Sequence, residues 1–190
     1  AEVPAVVEAL ALFGVPQHEI TAPATLDGGD VLVVERQVFV GASARTNVEG
    51  IDQIQRLLEP LGYRVRAVPV RGCLHLKSAV TAVGRDTLLI NRAWVPADAF
   101  AGITLVDVDP DEPLGANALW LVDPHGPAGA DGVAVYPAAF PKTRARLERQ
   151  GIRVRTVEVD ELAKAVGGVK GLWGVKPSMS LLGRINVVNS

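Results

Sequence analysis

Residues 58–70 read LEPLGYRVRAVPV, and residues 147–159 read LERQGIRVRTVEV. Leu58, Glu59, Gly62, Arg64, Val65, Arg66, Val68 and Val70 each meet an identical residue in the second copy. In both copies a helix end runs through a glycine into a strand of alternating polarity. A recurring unit narrows the available folds sharply, because each copy must bury its apolar face against a neighbour. A single helix–glycine–strand corner is common, so the order of elements around each copy carries the rest of the argument.

That order repeats. VLVV (31–34) and VFVG (38–41) read as short strands joined by the charged turn Glu35-Arg36-Gln37. Asn47 is a good N-cap, and Ile51, Ile54, Leu57, Leu58 and Leu61 keep one helical face apolar as far as Gly62. YRVRAVPV (63–70) is the strand that follows. LHLKSAVTAV (74–83) and TLLI (87–90) are expected as strands, Val95 to Phe100 as a weak helix and ITLVDVD (103–109) as a strand. ANALWLV (116–122) and VAVY (133–136) then precede a helix from Pro141 to Gln150 and the strand IRVRTVEV (152–159). A further helix is expected over 2–13, stopped by Gly14 and Pro16. The fold class is α/β, a propeller of strand–strand–helix–strand units. The hairpin inside each unit and the lack of a GxGxxG sequence argue against a Rossmann sheet. Residues 1–166 form the propeller domain. Residues 167–190 (GGVKGLWGVKPSMSLLGRINVVNS), rich in glycine and free of acids, form an atypical tail.

Composition removes several classes of function. Nineteen Lys and Arg against 21 Asp and Glu give a net charge of −2, so no global basic field attracts nucleic acid or an anionic membrane. Aromatic residues are only 5%, low for a base-stacking surface. The single cysteine, Cys73, excludes an internal disulfide and a multi-cysteine zinc site. Apolar runs are too short to span a bilayer, and no signal-peptide layout is visible, so a cytoplasmic protein is expected.

Three segments carry candidate chemistry. In Leu26-Asp27-Gly28-Gly29-Asp30 two acids flank a glycine pair before a strand. Such carboxylates can orient an imidazole, although Asp-Gly is also plain turn chemistry. In Gly41-Ala42-Ser43-Ala44-Arg45-Thr46-Asn47, Arg45 can pair with a ligand carboxylate or stand solvated beside a capped helix. In Cys73-Leu74-His75-Leu76-Lys77-Ser78, a strand would put Cys73, His75 and Lys77 on one face. His75 reads either as a general acid/base or as a satisfied core residue.

Together, LDGGDVL, VFVGASARTN and LHLKS, in this order and spacing, resemble the dimethylarginine dimethylaminohydrolases. These belong to the guanidine-modifying superfamily of five-bladed ββαβ propellers, the penteins. The resemblance runs from about Thr21 to about Ala165 and includes the segment around Asn117 and FPKTRARLERQGIRV from Phe140. It implies covalent hydrolysis of a methylated arginine to citrulline and an alkylamine through a thiouronium intermediate. His75 matches the catalytic histidine, Asp27 the acid that orients it, and Arg45 the arginine that grips the α-carboxylate. Ser78 matches a position lining the same pocket, and Asp30 is grouped with the substrate-binding residues. No metal or organic cofactor is implied. The expected partner is a small guanidine, with no nucleic acid and no membrane; homo-oligomerisation stays open.

Two departures from the family stand beside this. The family begins upstream of Ala1 with a segment that supplies acids for the guanidinium, so the propeller is expected to be incomplete at the N-terminus. The family also ends on a Gly-Gly-Val-Thr-Cys-like nucleophile segment. Here Gly167-Gly168-Val169 is followed by Lys170-Gly171-Leu172-Trp173. An alternative register lays Ser178-Met179-Ser180-Leu181 on a Cys-Met-Ser-Leu ending and puts Ser178 at the nucleophile position; otherwise the tail is unrelated sequence. Cys73, two residues from His75 on one strand face, would stand about 6.5–7 Å away, too far to serve. The alternatives are an inactive member of the family, or another guanidine-modifying enzyme such as an arginine deiminase or amidinotransferase. A related enzyme of that kind would need the same cysteine.

Overall fold

The structure, a computed structural model, describes residues 17–122, 132–158 and 186–189, with three isolated positions at 8, 11 and 12. The helix expected over 2–13 falls almost wholly outside these residues, as does Ser178.

The chain builds one sheet three times. In the first, strands β2 (Val31–Val34), β3 (Gln37–Ala42) and β4 (Arg64–Pro69) lie in that order, with helix α1 (Val48–Leu58) crossing from β3 to β4. The β2–β3 pair is an antiparallel hairpin, and β3–β4 is parallel from Gln37↔Arg64 to Ala42↔Pro69. The second sheet repeats this with β5 (Val80–Ala82), β6 (Thr87–Ile90) and β7 (Thr104–Asp107), crossed by a single 3-10 turn at Ala97–Phe100. The third has β8 (Leu119–Leu121), β9 (Val133–Pro137) and β10 (Val154–Val157), with α3 (Pro141–Arg149) as its crossover. The remaining pair is β1 (Gln17–Ile20), parallel to β11 (Asn186–Asn189). That last strand gives part of the glycine-rich 167–190 segment a place in the fold.

The repeated corner is real in three dimensions. Gly62 (φ +79°) and Gly151 (φ +77°) both hold the left-handed conformation, one leading into β4 and the other into β10. Asn47 caps α1 by accepting from the Gly50 N–H. The N-terminus of α3 is capped at a distance: Glu112 accepts from the Lys142 and Thr143 N–H groups at 2.9 and 2.7 Å.

Alternate residues on each strand enter different cores. Leu32, Val34 and Phe39 of the first sheet meet Leu88, Ile90 and Phe100 of the second unit; the Phe39 and Phe100 rings lie 4.9 Å apart. Val33, Val38 and Val40, on the other face, meet Ile51, Ile54 and Leu58 of α1. In the second sheet Leu89 turns away from Leu88 and Ile90 to pack with Tyr136 and Leu147 of the third unit. Both faces of the inner strands are covered, which is why VLVV, VFV and TLLI are continuously apolar rather than alternating.

The largest correction lies at 74–83. Only Val80–Ala82 is strand; Leu76–Ala79 is a four-residue helical turn, α2. Two interactions favour the turn, one from a distant segment and one within the turn itself. The Leu76 N–H goes to the Asp30 carboxylate instead of a ladder partner, and the Ser78 N–H goes back to the His75 carbonyl. Cys73, His75 and Lys77 therefore share no strand face. The 116–122 strand shortens to 119–121, and the weak helix at 95–100 is the 3-10 turn.

The two corner glycines, Gly62 and Gly151, give a direct test. An added methyl at either meets nothing closer than Arg36 Nη1 at 3.7 Å, so only backbone strain changes. Gly62→Ala and Gly151→Ala should each cost about 1–2 kcal/mol in denaturant titration, with an unaltered far-ultraviolet spectrum.

Candidate active site

Asp27 ends an extended segment and caps the 3-10 turn Gly28–Asp30, its Oδ1 accepting from the Gly29 N–H at 2.7 Å. This leaves Oδ2 directed at His75, whose Nε2 stands 3.4 Å away. The distance suits an ion pair with a protonated ring, without the alignment of a hydrogen bond. Nε2 is buried and makes no hydrogen bond among the described residues. Catalytic contacts of this kind commonly tighten only when a ligand arrives. The two side chains are 22% and 34% exposed, so the pair is partly open to solvent although Nε2 itself is buried.

Glycine sets the position of the ring. A Cβ at Gly29 would lie 2.6 Å from His75 Cγ and 2.8 Å from Cδ2. The imidazole lies on bare backbone, and any side chain at 29 would push it out. A Cβ at Gly41 would meet Asp30 Oδ1 at 2.7 Å and Leu76 Cβ at 2.8 Å. Both glycines mark close approach between segments far apart in sequence.

Asp30 sits differently from its expected role. It is fully buried, and its contacts are internal. Oδ2 accepts from the Ser43 hydroxyl at 2.7 Å and the Thr46 hydroxyl at 2.8 Å, and Oδ1 accepts from the Leu76 N–H at 2.8 Å. A carboxylate with three donors on it is satisfied in place and does not line a ligand cavity. Ser43 and Thr46, which sequence reasoning passed over, are thus part of the site's support. The visible signal was an acid closing a glycine pair together with hydroxyls on both sides of Arg45.

Arg45 is exposed; its backbone N–H donates to Ser43 Oγ at 3.0 Å. Ser78 is half-buried in α2, three residues past His75. The backbones at Asp27, Arg45 and His75 are thus linked, through Thr46, Ser43 and Leu76, to one carboxylate, Asp30, while Ser78 is bonded through its N–H to the His75 carbonyl. Among the described residues no group of three or more His, Cys, Asp or Glu side chains could hold a metal ion. Nor is any helix among them long and apolar enough to cross a membrane.

Cys73 is no nucleophile for this site. Its Sγ donates to the His75 carbonyl at 3.3 Å. Burial, aided by the negative charge of Asp30, pushes the thiol up to about 11.

Comparison with known proteins adds the following. The arginine deiminase family model matches residues 5–115. A dimethylarginine dimethylaminohydrolase of Streptomyces coelicolor is 48% identical over 169 residues, covering 89% of this chain and 61% of the relative. That of Pseudomonas aeruginosa is 31% identical over 152 residues, covering 80% and 56%. The chain therefore spans little more than half the length of these curated relatives. A solved structure of the Pseudomonas aeruginosa enzyme, a cysteine-to-serine mutant complexed with citrulline, superposes with a TM-score of 0.64 at 29% identity. It covers 77% of this chain and 54% of that one.

Two outcomes check the site. Gly29→Ala should displace the His75 imidazole, seen as a moved ring resonance, while the fold persists. Iodoacetamide should alkylate Cys73 on the order of a hundredfold more slowly than free cysteine near pH 7, accelerating up to about pH 11.

Proposed function

The chain belongs to the arginine deiminase family, and we propose that it is of the dimethylargininase type and carries the acid/base and carboxylate-gripping parts of a methylarginine hydrolase site. The observation that carries this reading is the His75–Asp27 pair on its glycine floor, tied to the Arg45 loop through the Asp30 carboxylate. Each residue then has a task. Arg45 takes the substrate α-carboxylate by charge-assisted hydrogen bonds. Protonated His75, held by the Asp27 charge, delivers its proton to the departing alkylamine once a nucleophile has attacked the guanidinium carbon. The neutral imidazole then removes a proton from water, which attacks the same carbon and releases citrulline and the nucleophile. Ser78, half-buried three residues past His75, holds the pocket position that the family resemblance implies.

The nucleophile separates this chain from an ordinary dimethylargininase. A thiolate is required for the covalent route, and the one cysteine is half-buried, its thiol pushed up to about 11 and donating to a backbone carbonyl. Ser178 is the remaining candidate position in this sequence, and an unactivated hydroxyl is a far weaker nucleophile than a thiolate near neutral pH. The reading is accordingly a ligand-binding site with its acid/base in place and slow or absent turnover. An arginine deiminase or amidinotransferase reading meets the same obstacle.

The test is colorimetric citrulline release from asymmetric dimethylarginine by purified protein. Little or no release is expected, Cys73→Ala should change nothing, and Ser178→Cys should raise release if Ser178 occupies the nucleophile position. Robust turnover abolished by Cys73→Ala would overturn the assignment. Citrulline should bind weakly, since a lone charged contact contributes about 1.5–3 kcal/mol, and Arg45→Ala should remove that binding.

A further inference from the structure

We propose that Asp30 is a positioning residue that holds the acid/base and the carboxylate grip in register through three separate arms. The proposal rests on the reading of the site given above and concerns how its parts are kept together. Asp30 is fully buried and hydrogen-bonds Ser43, Thr46 and Leu76, of which the first two accept the N–H groups of Arg45 and Asp27 and the third follows His75 in the chain.

The first arm runs to Arg45. Ser43 Oγ donates to Asp30 Oδ2 and accepts the backbone N–H of Arg45, so the carboxylate fixes the peptide from which the guanidinium extends. The second runs to Asp27. Thr46 Oγ1 donates to the same Oδ2 and accepts the Asp27 N–H at 3.0 Å, fixing the acid that faces His75. The third runs to His75 itself: Oδ1 takes the N–H of Leu76, the next residue, where the chain turns into α2. Each hydroxyl spends its proton on the carboxylate and its lone pair on a backbone N–H, so the polarity of both arms is fixed by the acceptor-only character of Asp30. An amide there would set its NH₂ against either the two hydroxyl protons or the Leu76 N–H. One arm would have to reverse or break, and a buried donor would be left unsatisfied. Gly41 leaves no room for the carboxylate to shift instead, since a Cβ there would already lie 2.7 Å from Oδ1.

The arms are separable by mutation. Ser43→Ala cuts the link to Arg45 and leaves the other two. Thr46→Val cuts the link to Asp27 and leaves the Leu76 bond. Thr46→Ser keeps the hydroxyl and serves as the conservative control. Two readouts are followed on the intact chain: citrulline affinity by calorimetry, and the imidazole ¹H–¹⁵N resonances of His75, assigned with His75→Gln. Ser43→Ala should weaken citrulline roughly tenfold and leave the His75 resonances in place. Thr46→Val should move the His75 resonances, Thr46→Ser should restore them, and Asp30→Asn should change both readouts. If Asp30→Asn does not fold, the hydroxyl variants decide the matter alone. Loss of melting temperature with both readouts unchanged would reduce Asp30 to a structural residue and overturn the proposal, as would identical effects of Ser43→Ala and Thr46→Val. Absence of citrulline binding by the unmodified chain would instead remove the functional reading, while the His75 resonances would still decide the positioning role.

Discussion

No sheet in this fold can bury itself. Three strands of three to six residues expose two apolar faces, which are covered by the unit's own crossover element and by the adjoining units. The arrangement alternates: α1 against the first sheet, the Ala97–Phe100 turn between the first and second, and α3 against the second with the third beyond it. Each crossover element closes its own unit and also fills the space beside a neighbouring sheet. The apolar pattern of the strands follows from this double duty. So does the tolerance for a crossover as short as one 3-10 turn, provided it delivers a ring such as Phe100 to the shared core.

The candidate site sits where chain segments of the first two units meet, at the turns outside their sheets. Turns cannot hold a catalytic pair by ladder hydrogen bonds, so the positions there are fixed by side chains. One buried carboxylate and two glycines do this. The carboxylate gathers donors from two other segments, and the glycines allow an imidazole and a carboxylate to approach backbone more closely than a Cβ would permit.

Much of the fold was legible because it rests on local chemistry. The glycine that ends a helix, the asparagine that starts one and the hairpin of apolar strands are each readable from a few residues, and the repeat makes them agree. The stretch 74–83 was misread for the same reason. Its alternation favours a strand locally, and the interaction that turns it comes from Asp30, more than forty positions away. Of the site, Asp27, Arg45 and His75 were legible as residue types in a familiar order. The burial of Asp30 was not, since an acid beside a glycine pair ordinarily faces water. The hydroxyls of Ser43 and Thr46 likewise look like turn residues until the carboxylate between them is seen.

The strand pairing also bears on how the chain reaches this state. Within each three-stranded sheet every partner comes from the same short stretch of sequence: a hairpin, then a parallel return after a brief crossover; only the β1–β11 pair joins distant parts of the described chain. Most of the ladder is therefore local, despite the parallel pairs, and contact order within a unit stays low. Loop-closure entropy is met in small instalments, and a unit can acquire its topology before the rest of the chain is arranged. What it cannot acquire alone is its covering. A unit's strand order is thus set by pairings within its own stretch of chain, whereas one face of its sheet is finished only by the unit that packs against it.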